Sequence, residues 1–215
     1  MSAAPQEMRR ALREPWHSLH RQRQGASFGM WVFLASEAMF FGGALMVFTM
    51  YRVLYPGPFA AAATETNIWY GSVNTAVLLT SSLTMAVAAQ AAETGLRRLT
   101  LWCLSITATL GMAFLVVKGF EYHEDITKHL IPGVHFRLHE APAQIFFAFY
   151  WVLTGVHALH LTIGITIVGI LVFQAWRKAR PLVSPAFEVA ALYWHLVDIV
   201  WVFLYPLIYL PGRSA

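Results

Sequence analysis

Charge is what this chain most lacks. Asp, Glu, Lys and Arg make up 12% of its 215 residues, about half the roughly 25% of an ordinary soluble domain. With 58% hydrophobic residues, the apolar surplus is too large for one soluble core, so lipid is the expected solvent. Cysteine is nearly absent as well. The lone Cys103 excludes an internal disulfide and a cysteine-built zinc site, and it carries no information on redox compartment. No glycine-rich phosphate loop and no nucleophile elbow occurs. Residues 1–26 are polar and basic, without the apolar stretch of roughly 7–15 residues that marks a cleaved signal. This segment is expected to be retained and to lie at the membrane surface.

What the chain does have is five long apolar runs, over 28–51, 67–92, 99–120, 143–175 and 187–210. Each reaches or exceeds the ~20 residues needed to cross a ~30 Å hydrocarbon layer. The fold class expected is therefore all-α, an integral membrane bundle of five transmembrane helices. Residues 1–27 form a cytoplasmic N-terminal segment and 28–210 the transmembrane domain. The fourth run is too long for a perpendicular crossing and must tilt, kink or emerge into water. The connection 94–98 is so short that the second and third spans must form an antiparallel hairpin. The connection 52–66 contains Tyr55-Pro56-Gly57-Pro58, a turn signature, followed by an alanine run. Pro142 suits a helix start, and Pro206 inside the fifth span predicts a kink. Small residues crowd the second span (Ser81, Ser82, Ala86, Ala88, Ala89, Ala91, Ala92), where they permit close helix approach. Trp69, Trp176, Tyr51 and Tyr209 fall where an interfacial aromatic belt is expected.

The formal charge of +4 does not read as nucleic-acid binding, because the basic residues are sorted by loop. Arg9, Arg10, Arg13, Arg21, Arg23, Arg97, Arg98, Arg177, Lys178 and Arg180 lie on one side. Arg52, Lys128, Arg137 and Arg213 lie on the other, with Lys118 near that side. The positive-inside rule then puts the N-terminus in the cytoplasm and the C-terminus outside; the membrane expected is a bacterial-type cell membrane.

A polar side chain within a span costs free energy and needs a reason. Glu37 sits about ten residues into the first span, and must face protein or water. It reads either as a proton-binding or lipid-headgroup-contacting site, or as an acid hydrogen-bonded to a neighbouring helix for packing. His195 and Asp198 are three apart, on one helix face, and can pair. Such a pair can relay a proton or simply fix helix packing. His157 and His160 also share a face. A haem clamp would need an opposing histidine, for which only His195 is available; hydrogen bonding across helices is the simpler use. The stretch 121–140 holds Glu121, His123, Glu124, Asp125, His129, His135, His139 and Glu140. Their spacing fits no metal pattern, and the stretch is expected to be a solvated loop that contacts a partner, with Glu121 and Lys118 at the interface.

Five segments, taken in order, carry a resemblance. They are Met30-Trp31-Val32-Phe33-Leu34-Ala35-Ser36-Glu37-Ala38-Met39-Phe40-Phe41, the run 74–82 (NTAVLLTSS), Glu121-Tyr122-His123-Glu124, the run 154–160 (TGVHALH), and the run 193–201 (YWHLVDIVW). Each alone is weak. Together, at these positions along the spans, they resemble subunit III of the haem-copper terminal oxidases over roughly residues 27–210. The likeness is to a five-span form lacking the first two helices of longer members, which form one wall of that family's lipid cleft.

The resemblance implies a non-catalytic subunit of a respiratory oxidase that reduces oxygen to water and pumps protons. It implies packing on subunit I, contact with subunit II and other oxidase subunits, and bound phospholipid. It places haems and copper in partner chains, with no cofactor or metal in this one. It makes Glu37, His157, His160, His195, Asp198 and Glu121 a buried polar set linked to protons or lipid. The electron donor, cytochrome c or quinol, is left open. The accessory chain of nitric oxide reductases shares these motifs and is an alternative. A proton-coupled transporter and a di-haem cytochrome are further alternatives. The odd number of spans, with no repeat and no broken helix, counts against the transporter.

Overall fold

In a computed structural model, which describes residues 12, 15–133, 136–138, 140–178 and 181–213, all regular structure among the described residues is helical. The elements are α1 (Leu19–Leu54), α2 (Pro56–Glu65), α3 (Ile68–Glu93), α4 (Arg97–Thr127), α5 (Ala141–Trp176) and α6 (Ala186–Tyr209). Five of them, all but the short α2, are long and apolar enough to cross a membrane. The expected Arg9, Arg10, Arg13, Arg180, His135 and His139 lie outside the described residues.

α1 and α5 each contain 36 residues, about 54 Å at the helical rise of ~1.5 Å per residue. Both therefore outrun the hydrocarbon layer. α1 starts at Leu19, where Ser18 Oγ accepts from the Arg21 amide at 3.3 Å. The segment 55–66 is not the simple turn expected from its prolines. It folds as α2 with Pro56 at the first helical position, where the missing N–H is harmless and the fixed φ helps. The 94–98 connection is the tight hairpin expected. Gly95 takes φ +76°, the Leu96 amide reaches Ala91 O at 2.9 Å and the Gly95 amide reaches Ala92 O at 3.1 Å. That is a Schellman ending, which needs a left-handed residue. α6 runs through Pro206 to Tyr209.

α3, α4, α5 and α6 close a four-helix ring in which each packs on the next. α1 lies outside the ring, mainly along α6 and less along α5. α6 is the most buried of the long helices, with Trp194, Trp201, Leu204, Ile208 and Tyr209 all essentially inaccessible. Its large rings fit because their neighbours are small. Trp194 occupies the room left by Gly111 and Gly164, where an added Cβ would meet its ring at 2.8 and 3.3 Å.

Three ring N–H and O–H groups on α6 also find small hydroxyls on α3. Trp194 Nε1 donates to Ser81 Oγ at 3.1 Å, Trp201 Nε1 to Thr75 Oγ1 at 3.0 Å, and Tyr205 Oη and Ser72 Oγ lie 2.7 Å apart. Such interhelical bonds are worth about 0.6 kcal/mol each, up to about 1.7. Of the small residues expected to line a close helix contact, Ser81, Ala88, Ala91 and Ala92 are buried.

A knot of phenylalanines, Phe48, Phe59 and Phe146, joins α1, α2 and α5 with centroids 5.6–5.8 Å apart. Arg213 holds the far end of α2, donating to the carbonyls of Ala63, Thr64 and Thr66. Gly212 lets the chain approach so closely: φ is +74° and a Cβ would stand 2.7 Å from Ala60 O.

Candidate functional site

The polar residues of the spans fall into separate groups. The first joins α1 to α5. Glu37 Oε2 lies 3.2 Å from His160 Nε2, and both side chains are mostly buried. His160 Nδ1 lies 2.9 Å from Val156 O. A carbonyl oxygen only accepts, so Nδ1 carries hydrogen, an assignment made from the network. The neutral ring then presents a bare Nε2 to Glu37, and the contact requires one proton, brought either by the carboxyl or by an imidazolium. Phe41 covers the imidazole edge-on at 5.4 Å, and Tyr193 Oη donates to His160 O at 3.0 Å.

The second group was not legible as a group. α4 continues to Thr127, seven residues past the expected span, so Glu121 to Asp125 are helical and not in a solvated loop. Lys118, Glu121 and Asp125 recur at helical spacing and point inward, each no more than 3% exposed. Their side chains are enclosed between helices and do not lie on the bundle surface. Lys118 Nζ donates to Glu121 Oε2 at 3.0 Å, Tyr209 Oη at 2.8 Å and Tyr150 Oη at 3.1 Å, which uses all three ammonium hydrogens. Tyr209 Oη donates to Glu121 Oε1 at 2.6 Å. Tyr150 Oη stands 3.0 Å from Glu121 Oε1 and 2.6 Å from Asp125 Oδ2.

Four aromatic rings enclose the ammonium, those of Tyr150, Tyr122, Tyr209 and Trp201 at 4.6, 4.9, 5.5 and 5.7 Å. Cation–π attraction is strongest in such a desolvated setting. Tyr209, expected in an interfacial belt, is instead fully buried here; Trp69 and Trp176 are strongly exposed at helix ends.

The remaining site residues are not brought together. His195 Nδ1 lies 2.8 Å from Ser82 Oγ, so α3 takes the bond that the spacing assigned to Asp198. Ser82 also neighbours the Asp198 carboxyl, yet neither Asp198 oxygen completes a hydrogen bond within the chain. His157 is buried against Phe114 and Trp201, ring centroids 5.5 and 5.1 Å away, and both its nitrogens lack a partner. Asn74, which the sequence did not single out, is likewise fully buried with both amide atoms unpaired. The three histidines thus meet three different environments and do not form an opposed ligand pair. Among the described residues no group of three or more His, Cys, Asp and Glu side chains is gathered as for a metal ion.

Beside the Glu37–His160 pair runs an apolar groove of about 460 Å³ between α1, α5 and α6, lined by Met30, Phe33, Ile167, Ile170, Leu171 and Tyr193 among others. The outer face of α1 is strongly apolar, with Phe28, Trp31, Met39, Met46 and Val53 each at least 60% exposed.

Comparison with known proteins places these features in a family. The family model for cytochrome c oxidase subunit III matches residues 12–213. A protein of Mycobacterium leprae named "probable cytochrome c oxidase subunit 3" is 33% identical, covering 90% of this chain and 91% of its own length. Proteins named "cytochrome c oxidase subunit 3" from Synechocystis and Oncorhynchus mykiss are 30% and 33% identical, over 90% and 88% of this chain and 79% and 71% of theirs.

Proposed function

This chain belongs to the cytochrome c oxidase subunit III family, and from that premise we propose that it serves as a non-catalytic subunit of a respiratory haem-copper oxidase. The haems and copper reside in partner chains, and this chain packs on subunit I with further contact to subunit II. It holds phospholipid and supports proton uptake and the endurance of the turning-over enzyme. Its N-terminal segment, 1–27, lies on the cytoplasmic side of a bacterial-type membrane and its C-terminus outside, an orientation that the sorting of basic residues between loops supports.

The observation that carries the reading is the use of α1. One face of the helix is spent on Glu37–His160 and the phenylalanine knot, while the other presents a broad apolar surface. α1 is the least buried of the five spans, which leaves it more surface than the others for lipid or for a larger membrane partner. The groove beside α1, lined mostly by apolar side chains with Gln174 and Tyr193 among them, suits an acyl chain, and the Glu37–His160 contact is the buried polar pair that supports the proton-linked reading.

The test is affinity purification of the tagged chain in mild detergent, with identification of the co-purifying chains and an oxygen-consumption assay. A haem-bearing large subunit and oxygen uptake are expected. Co-purification with a complex that reduces nitric oxide but not oxygen would replace the oxidase reading, and a chain that emerges alone and colourless would end it.

A further inference from the structure

The buried cluster around Lys118 contains more acceptors than its own protons can serve. Tyr150 Oη is within hydrogen-bond distance of two carboxylate oxygens, Asp125 Oδ2 at 2.6 Å and Glu121 Oε1 at 3.0 Å, and it also accepts from Lys118 at 3.1 Å. A phenol has one hydrogen. If both carboxyl groups are ionised, one of the two contacts is a bare approach of oxygen lone pairs. The charges tell the same story. One ammonium faces two carboxylates in a region where all three side chains are inaccessible, and an uncompensated buried charge is strongly disfavoured.

Among the described residues no other cation reaches the two carboxyls by contact. On α4 itself, Lys128 is tied to Glu124 at 2.6 Å at the partly exposed rim, and Tyr122 Oη is engaged with Thr154 Oγ1 at 2.7 Å. From α5 comes Tyr150, and from α6 Tyr209, whose hydrogen goes to Glu121. His157 on α5 reaches the cluster only through the ring of Trp201, and neither of its nitrogens meets a carboxylate.

We propose that Asp125 is the protonated member of this cluster and that Lys118, Glu121, Asp125, Tyr150 and Tyr209 together form a single-proton binding site. With a proton on Asp125 every contact is served. Asp125 donates to Tyr150 Oη, Tyr150 and Tyr209 donate to Glu121, and Lys118 donates to all three of its neighbours; the net charge is zero. The helix end above fixes this position. The Leu130 amide reaches Asp125 O at 3.0 Å, in a turn that holds His129 at φ +56°. Loss of the proton, taken up by solvent, removes the hydrogen of the 2.6 Å contact and leaves one negative charge inside, so release is coupled to loosening of the α4–α5 contact at this end. The site stands apart from the Glu37–His160 pair, and it does not depend on the assembly reading above.

The chain has only two aspartates, Asp125 and Asp198, which makes the test clean. The full chain, labelled with carboxyl-¹³C aspartate and carrying Asp198→Asn, is placed in lipid nanodiscs and followed by infrared spectroscopy against pH. The expected result is a label-sensitive C=O band of a protonated carboxyl at mildly acidic pH that converts reversibly to carboxylate as pH rises. Label-sensitive signals of ionised carboxylate alone, throughout the mildly acidic to neutral range, would overturn the proposal. Should Asp198→Asn impair folding, the difference between the native chain and Asp125→Asn isolates the same band. Asp125→Asn itself retains a donor for Tyr150 Oη and is expected to keep its fold.

Discussion

Removing Glu121 from beside Lys118 is the most informative single perturbation. The ammonium is 2% exposed and Glu121 is its nearest counter-charge, at 3.0 Å. In Glu121→Gln the two tyrosine hydroxyls at 2.8 and 3.1 Å remain as acceptors, but the ammonium loses its contacting counter-charge, and Asp125, reached only through Tyr150, must give up its proton to replace it. Breaking one side of a buried ion pair costs about 3–5 kcal/mol. Lys118→Met should also destabilise, because Glu121 keeps its hydroxyl donors and loses its cation. The double variant Lys118→Met/Glu121→Gln removes both charges and leaves Tyr150 and Tyr209 able to donate to the new amide oxygen. Replacing a buried pair as a whole is often near neutral, within about 1–2 kcal/mol. The double should therefore lie well above the sum of the singles in stability, with a coupling of several kcal/mol. The assay is equilibrium unfolding of the full chain in mixed micelles, read by far-ultraviolet circular dichroism, with tryptophan emission as a second probe because Trp201 sits 5.7 Å from the ammonium. Singles that add to the double within about 0.5 kcal/mol would mean that the two buried charges do not depend on each other.

Four further outcomes are expected. Glu37→Gln, which can donate an amide hydrogen to His160 Nε2, should leave the chain's hold on its complex nearly intact, whereas Glu37→Ala should weaken it by about 1–3 kcal/mol; salt-wash retention of the chain measures both. Gly111→Val should destabilise the bundle by about 1–3 kcal/mol or more, because a Cβ there lies 2.8 Å from Trp194 and 3.0 Å from Ile165; the same unfolding assay reports it. Arg213→Ala should leave the carbonyl end of α2 unheld and cost about 1–3 kcal/mol locally, seen as faster amide exchange over 56–66. Ala190→Trp should fill the α1–α5–α6 groove and reduce the phospholipid retained after delipidation, measured by mass spectrometry.

Hydropathy made the number of spans legible, and the one-turn connection made the α3–α4 hairpin legible. The polar residues within the spans were legible as positions but not as partners. Spacing alone favours His195 with Asp198, yet the ring of His195 turns to Ser82 on another helix, a contact that no local pattern can encode. Glu37 and His160 are too distant in sequence to be matched without a fold. The largest error lay in the stretch after residue 120. Its charges suggested a wet loop, but Lys118, Glu121, Tyr122 and Asp125 follow the three- and four-residue spacing of a helix face, and that spacing was the available signal. The belt expectation for Tyr209 failed for the same reason. A tyrosine near a membrane boundary has two uses, and a buried lysine, not lipid, claims this one. α2 was hidden because Pro-Gly-Pro reads as a turn, although proline at a first helical position also begins a helix.

This chain is expected to assemble with redox subunits and to hold no redox centre of its own. The most direct measurement is to strip the chain from its purified complex with detergent and record reduced-minus-oxidised spectra of both fractions. Haem bands that remain wholly with the depleted complex, with oxygen reduction persisting there at first, are the predicted result. Haem bands that leave with this chain would contradict it.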